Sequence, residues 1–126
     1  MLPTYNIPPI GPKQGKIWGK TQLVFAYNST EVHIIEGKAG YKCSCHSHDH
    51  KWNRFTVISG LLKIMVHHMD GTIDETLLGK WQSTDVPPGV KHQFIVMEDT
   101  MAIETYWVTL DAQDINRHGT IGGRSR

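Results

Sequence analysis

No window of a dozen residues in this chain sustains an i, i+3, i+4, i+7 apolar spacing free of Gly or Pro, so an amphipathic helix has nowhere to form. What recurs instead is a short run with β-branched and aromatic residues, closed at each end by turn residues. The runs cover residues 22–27, 32–36, 41–45, 54–58, 61–67, 72–78, 82–86, 92–96 and 101–109. The joints are Gly37-Lys38-Ala39-Gly40, Ser59-Gly60, Asp70-Gly71 and Pro87-Pro88-Gly89. Asp70-Gly71 is the sharpest of these, because a type I′ hairpin turn needs positive φ at both central positions and Asp-Gly tolerates it. Eight or more short strands at this spacing predict an all-β fold, an antiparallel sandwich or barrel. A chain of 126 residues is one domain's worth of material. The expected layout is an extended segment over residues 1–15, a β-barrel over 16–120 and a flexible tail over 121–126.

Composition narrows the function. Lys plus Arg is 13 and Asp plus Glu is 12, a net charge of +1, which argues against nucleic acid as a partner, since that needs a basic stripe. Apolar stretches such as 61–66 stop far short of the roughly 20 residues a spanning helix requires, so no membrane partner is expected. Residues 1–13 hold Pro3, Pro8, Pro9 and Pro12 without an apolar core and do not read as a secretory signal. Cys43 and Cys45 stand one residue apart, at or beyond the reach of a disulfide, and read as free thiols of a cytoplasmic protein. On a regular strand they face away from His46 and His48 and pack outside the barrel. Eight histidines against three phenylalanines is the first sign of chemistry.

Three of those histidines, His46, His48 and His50, alternate with short polar residues. In an extended chain all three imidazoles face one way, and two neighbours can reach a single ion. A distant segment, Pro87-Pro88-Gly89-Val90-Lys91-His92, delivers a further imidazole just after a Pro-Gly turn.

Together the two stretches resemble the motifs of the cupin superfamily. Gly40, His46, His48 and Gly60 fall in register with its first motif; Pro87, Gly89 and His92 match the end of its second, whose opening Gly79 sits two residues early. The resemblance implies an antiparallel jelly-roll β-barrel with a divalent ion (Zn, Fe, Mn or Ni) in its mouth. It places the metal ligands at His46, His48 and His92. The superfamily's glutamate ligand falls at Asn53, a neutral and weaker donor, and His50 is an alternative fourth ligand. A narrower likeness joins Trp18-Gly19, Val57-Ile58-Ser59-Gly60, Ala102-Ile103-Glu104 and Asp114-Ile115-x-Arg117 to the cupin domain of type II mannose-6-phosphate isomerases.

The resemblance implies a metal-dependent enzyme of isomerase type acting on a small, sugar-like substrate. Glu104, a carboxylate among apolar neighbours, is a candidate base, with His50 a second catalytic candidate. Lys51, Arg54 and Gln93 are candidate substrate contacts. His33 reads as a surface residue; Tyr106 reads as core, interface or a stacking platform. Two alternatives stay open: a three-histidine iron dioxygenase, and a non-enzymatic sugar- or metabolite-binding cupin. Open strand edges predict a homodimer, with residues 22–27 available for exchange between protomers.

Overall fold

The computed structural model describes residues 1–5, 14–108, 115 and 117–125. Among these there is no helix. Seven antiparallel strands run β1 (Gln14–Lys16), β2 (Gly19–Tyr27), β3 (Thr30–Gly37), β4 (Trp52–His67), β5 (Ile73–Leu78), β6 (Ser83–Val86) and β7 (Lys91–Trp107). The order across the sheet is β1-β2-β3-β7-β4-β5, and β6 pairs with β4 beside β5. The all-β expectation holds, but the sheet does not close, so the barrel is an open one. The expected boundary after residue 15 cuts through β1. Thr109 and Asp114 lie outside the described residues, as do residues 6–13 of the amino-terminal segment.

The sheet is organised by one long ribbon. β4 and β7 pair along almost their whole length, from Trp52↔Trp107 to His67↔Lys91. Four of the expected strands are therefore halves of two. Ser59-Gly60 is a bend inside β4, where the register slips three times between Val57 and Leu62, and not a hairpin turn. The bend folds the ribbon on itself. Phe55 sits opposite Glu104 and Phe94 opposite Ile64, which on a flat ribbon would separate the two phenylalanines by roughly 30 Å. Their ring centroids are 5.9 Å apart. The first half of β4 pairs with β6 and the second half with β5, so the two halves belong to two facing layers.

The sequence places its small residue where the bend is tightest. Gly60 has φ +97°, and a Cβ there would run into the Asp99 carbonyl and come within 2.6 Å of Thr100 Oγ1. Thr100, buried at the same corner, accepts the Leu61 N–H at 3.2 Å and donates to the carbonyls of Glu98 and Leu61. Between the layers lie Ile35, Phe55, Val57, Leu62, Ile64, Leu78, Val86, Phe94, Val96 and Ala102, each at most 3% exposed. Alternate residues of β4 and β7 supply most of this set, as period-two patterning requires. Full burial of each large apolar side chain is worth roughly 1.5–3 kcal/mol.

The Asp70-Gly71 hairpin forms, with a different turn. Gly71 has φ +88° while Asp70 stays out of the positive region. His68 N–H reaches Thr72 O at 2.9 Å, so the loop has three residues, 69–71, and not two. Asp70 Oδ1 accepts both the Thr72 N–H (2.9 Å) and its hydroxyl (2.6 Å), which fixes the aspartate in an ordinary conformation. Residues 41–45 make no strand. The segment from 41 to 46 follows β7 through the isolated bridges Lys42↔Ile95 and His46↔His92 and through bonds such as Cys43 N–H to Phe94 O at 3.1 Å.

Candidate metal centre

The segment after Gly40 runs antiparallel along the first half of β7, from Val96 back to His92. His46 N–H donates to His92 O at 2.9 Å and His92 N–H returns to His46 O at 2.8 Å, a reciprocal antiparallel pair that sets the two side chains next to one another. Two residues on, His48 O accepts the Gly89 N–H at 2.7 Å, so the Pro87-Pro88-Gly89 turn anchors the third histidine. Ring centroids are 4.7 Å apart for His46 and His92, 5.0 Å for His46 and His48, and 5.5 Å for His48 and His92. One ring nitrogen from each lies within 4.8 Å of the others.

Backbone carbonyls fix the tautomers. His92 Nδ1 lies 2.9 Å from Val90 O, and His46 Nδ1 lies 2.9 Å from Ser44 O. A carbonyl only accepts, so each Nδ1 carries a proton, and in a neutral ring Nε2 then holds the lone pair. Imidazoles held this way are the usual outer support of a metal ligand. Burial holds His92 below its ordinary pKa. Burial first, then the charges of His46, His92 and Lys51, brings His48 down from 6.5 to about 4. Both rings are therefore neutral near pH 7.

Among the described residues, the buried side-chain polar atoms without a hydrogen-bond partner are His48 Nε2, His92 Nε2 and Asn53 Oδ1. Leaving such an atom dry and unpaired costs about 1–3 kcal/mol. Two of the three belong to the histidine cluster. The third belongs to the residue at the glutamate position of the motif. Three nitrogens and an amide oxygen are a donor set that fits a first-row divalent cation.

Asn53 is 0% exposed and pairs across the ribbon with Tyr106, whose ring stands edge-on to His48 at 5.4 Å. Its Nδ2 donates to Glu104 Oε2 at 3.2 Å, and the Tyr106 hydroxyl donates to the same oxygen at 2.6 Å. Burial, and next the charge of Glu104, push the Tyr106 phenol far above its ordinary pKa, so it stays a donor. Glu104, 8% exposed, also lines a cavity of about 470 Å³ together with His46, Tyr106 and His33. Trp18, Phe55 and Phe94 give that cavity apolar walls, and Thr21 and Gln22 add polar ones.

The other candidates fall elsewhere. His50 is exposed at a bend that begins at Asp49, so the strand-like alternation that aligned it with His46 and His48 breaks first. Lys51 lies with its Nζ 4.8 Å from the Tyr106 ring. Arg54 points away from Asn53, bound at 2.6 and 2.9 Å to both Asp85 oxygens and 5.4 Å from the Trp107 ring. Gln93 faces outward, its Oε1 on His67 Nε2 (3.0 Å) and its Nε2 on Cys43 O (3.2 Å). Neither Arg54 nor Gln93 lines the cavity. The cysteine expectation needs correcting: the chain there is not a strand, and Cys43 turns inward to line the cavity, its thiol raised to about 11 by burial. Cys45 is exposed, and both thiols are free.

Two residues gain importance that sequence reasoning did not give them. Tyr106 joins the Asn53–Glu104 cluster, and His33 stands edge-on to Tyr106 at 5.4 Å with Nε2 donating to Glu31 Oε2 at 3.1 Å. The signal for Tyr106 was present, since it stands two residues from Glu104 and so shares its face. For His33 the signal lay in the β3–β7 register, which sets it opposite Glu104 and which no local pattern reveals.

No family model matches the chain, and no curated protein matches it by sequence. Solved structures do match. KdgF from a Halomonas species is similar at TM-score 0.67 and 13% identity, over 79% of this chain and 89% of that one. A cupin-2 domain protein from Shewanella frigidimarina matches at TM-score 0.58 and 16% identity, over 68% and 76%. Oxalate decarboxylase from Bacillus subtilis matches at TM-score 0.69 and 13% identity, over 78% of this chain but 27% of that one. Another structure of that decarboxylase is described by its Mn(II) centres. The chain has the cupin fold, and its histidine cluster could bind a divalent metal.

Proposed function

We propose that this cupin-fold chain is a metal-dependent enzyme of isomerase type acting on a small, polar, sugar-like substrate. One observation carries the metal: His48 Nε2 and His92 Nε2 are buried without partners inside a cluster whose three histidines each bring a ring nitrogen within 4.8 Å of the others, and a single cation would satisfy them together. His46, His48 and His92 would hold it, with Asn53 Oδ1 as a fourth donor. A divalent ion among neutral ligands keeps its charge and supplies Lewis acidity toward a carbonyl and the hydroxyl beside it.

The chain's own residues supply the rest. Every hydrogen bond described for Glu104 falls on Oε2, so the carboxylate is held in place while it faces the cavity. Glu104 takes a C–H proton from the hydroxyl-bearing carbon and returns it to the neighbouring carbonyl carbon. The hydroxyl proton passes to the former carbonyl oxygen, so the sum is an aldose–ketose exchange with no net redox change. The apolar walls of Trp18, Phe55 and Phe94 suit a sugar face, and Thr21 and Gln22 suit its hydroxyls.

The test is a panel of small aldoses and ketoses incubated in D₂O with metal-loaded protein. The reading expects one substrate to isomerise with deuterium entering at carbon, and Glu104→Gln to abolish both. Oxygen consumption by iron-loaded but not zinc-loaded protein would replace this with the dioxygenase reading. A ligand that raises the melting temperature and is recovered unchanged from every metal form would replace it with a binding protein.

We also propose a homodimer. β1 pairs with β2 at Gly19–Thr21, and among the described residues no strand pairs with that edge from Leu23 to Tyr27, where Phe25 and Tyr27 are exposed. Light scattering at micromolar concentration would give a dimer mass; a monomer mass ends this part of the reading.

A further inference from the structure

Asn53 is the point where this chain departs from the motif it otherwise follows, and the departure has a structural counterpart. A carboxylate is still present, one side chain further out. Glu104 approaches Asn53 from the next strand and uses Oε2 to accept its Nδ2–H at 3.2 Å. The same oxygen accepts the Tyr106 hydroxyl at 2.6 Å. An ionised carboxylate only accepts, so it must face the amide's nitrogen, and the amide oxygen is turned to the other side. That oxygen is buried and has no partner. Asn53 itself has no exposure, so no solvent molecule at the surface explains the orphan.

We propose that Glu104 and Tyr106 are positioning residues for the cation: Tyr106 steers Glu104, Glu104 orients the Asn53 amide, and Asn53 Oδ1 is thereby presented as a ligand. The negative charge that a carboxylate ligand would bring to the ion is kept, but at one remove, through a hydrogen bond that polarises the amide. The same carboxylate therefore serves both the ion and the cavity. This rests on the metal reading above. It adds that the affinity depends on a chain of three side chains contributed by β4 and β7, none of them a histidine.

The relation is tested by metal affinity and by spectrum, without turnover. Zn(II) affinity is measured by chelator competition, and the Co(II)-loaded protein is read by its visible absorption. Circular dichroism and thermal melting of the metal-free variants report folding. Asn53→Leu removes the amide while keeping its branched shape; Glu104→Gln lets the amide turn over; Tyr106→Phe keeps the carboxylate charge and removes only its steering donor. Outer support of a ligand is worth about 10- to 100-fold in metal affinity. The expected order of loss is Asn53→Leu, then Glu104→Gln, then Tyr106→Phe, each with a shifted Co(II) spectrum. The decisive comparison is a double-mutant cycle. If Glu104 acts through Asn53, then Glu104→Gln costs at least tenfold less affinity in the Asn53→Leu background than alone. An equal cost in both backgrounds overturns the proposal, as does an unchanged affinity and spectrum in folded Asn53→Leu protein. Wild-type protein that takes up neither Zn(II) nor Co(II) would instead end the metal reading itself.

Discussion

Thr100 and His92 stand on the same strand, are both at least 95% buried, and treat their polar atoms in opposite ways. At the corner, the Thr100 hydroxyl accepts from the Leu61 N–H and shares its proton between the carbonyls of Glu98 and Leu61. At the histidine cluster, His92 spends Nδ1 on Val90 O and leaves Nε2 with nothing. His48 Nε2 and Asn53 Oδ1 share that condition. The corner closes its hydrogen bonds internally and holds the ribbon bent; the centre withholds them. A buried polar group that the fold does not satisfy costs stability, and this fold tolerates three of them, two within the histidine cluster. The difference separates what serves the architecture from what, on the reading proposed above, is kept for a ligand.

Perturbing each end should therefore give opposite signatures. The largest loss of stability is expected at the corner. Gly60→Val sets a branched side chain at φ +97° against the Asp99 carbonyl and should cost about 3 kcal/mol or more, read from the urea midpoint. At the centre the sign reverses when the orphans are satisfied. Zn(II) at a hundredfold excess over its dissociation constant should raise the unfolding free energy by about 2.7 kcal/mol, and His92→Ala should erase that gain. Thr100→Val keeps the shape of the corner but strands the Leu61 N–H, for a loss of about 1–2 kcal/mol with metal affinity unchanged. If Thr100→Val weakened the metal as much as the fold, the two ends would not be separable.

Acid should act on the centre and spare the corner. His48 titrates near 6.5 when unfolded and near 4 when folded, and His92 is shifted in the same direction. Between those values the unfolded chain holds a proton that the folded chain lacks, so stability falls as pH drops from 6.5 toward 4 and is flat with respect to these groups above that window. Denaturation of metal-free protein at stepped pH checks this, and His48→Ala should flatten the slope. The smallest effect is expected outside both regions. Gln93→Ala loses two half-buried hydrogen bonds and should cost about 0.5–1 kcal/mol, with no change in metal affinity.

How legible each region was in the sequence follows from the range of its interactions. His46, His48 and His92 were readable because two compact motifs carry them at fixed spacing, and a single backbone pair brings the motifs together. Glu104 was readable because a carboxylate in an apolar alternation has to be explained. His50 departs from the alternation of His46 and His48 because the bend at Asp49 interrupts the extended geometry and leaves it exposed. Cys43 turns inward for a related reason: residues 41–45 are rich enough in β-compatible side chains to suggest a strand, yet they follow β7 through isolated bridges without forming a regular one. The length of β4 was hidden because Gly60, the mark of a turn in most contexts, here permits a strand to bend without ending, and that of β7 because the exposed run Met97-Glu98-Asp99 interrupts its alternation. The joining of Asn53, Tyr106 and Glu104 depends on the register of strands about fifty residues apart, which no local pattern encodes.

The position of β7 governs the order in which such a chain can assemble. It is the last strand among the described residues, yet it lies between β3 and β4 at the middle of the sheet. Thr30 meets Trp107, and Trp52 meets the same residue. Until β7 arrives, the β1–β3 meander and the β4–β6 group have no ladder in common, and each exposes the apolar face it will later bury. Topologies dominated by such distant pairings fold in roughly milliseconds to seconds. Assembly of the candidate metal centre then awaits that same late event, because His92, Glu104 and Tyr106 arrive on the one strand that completes the sheet.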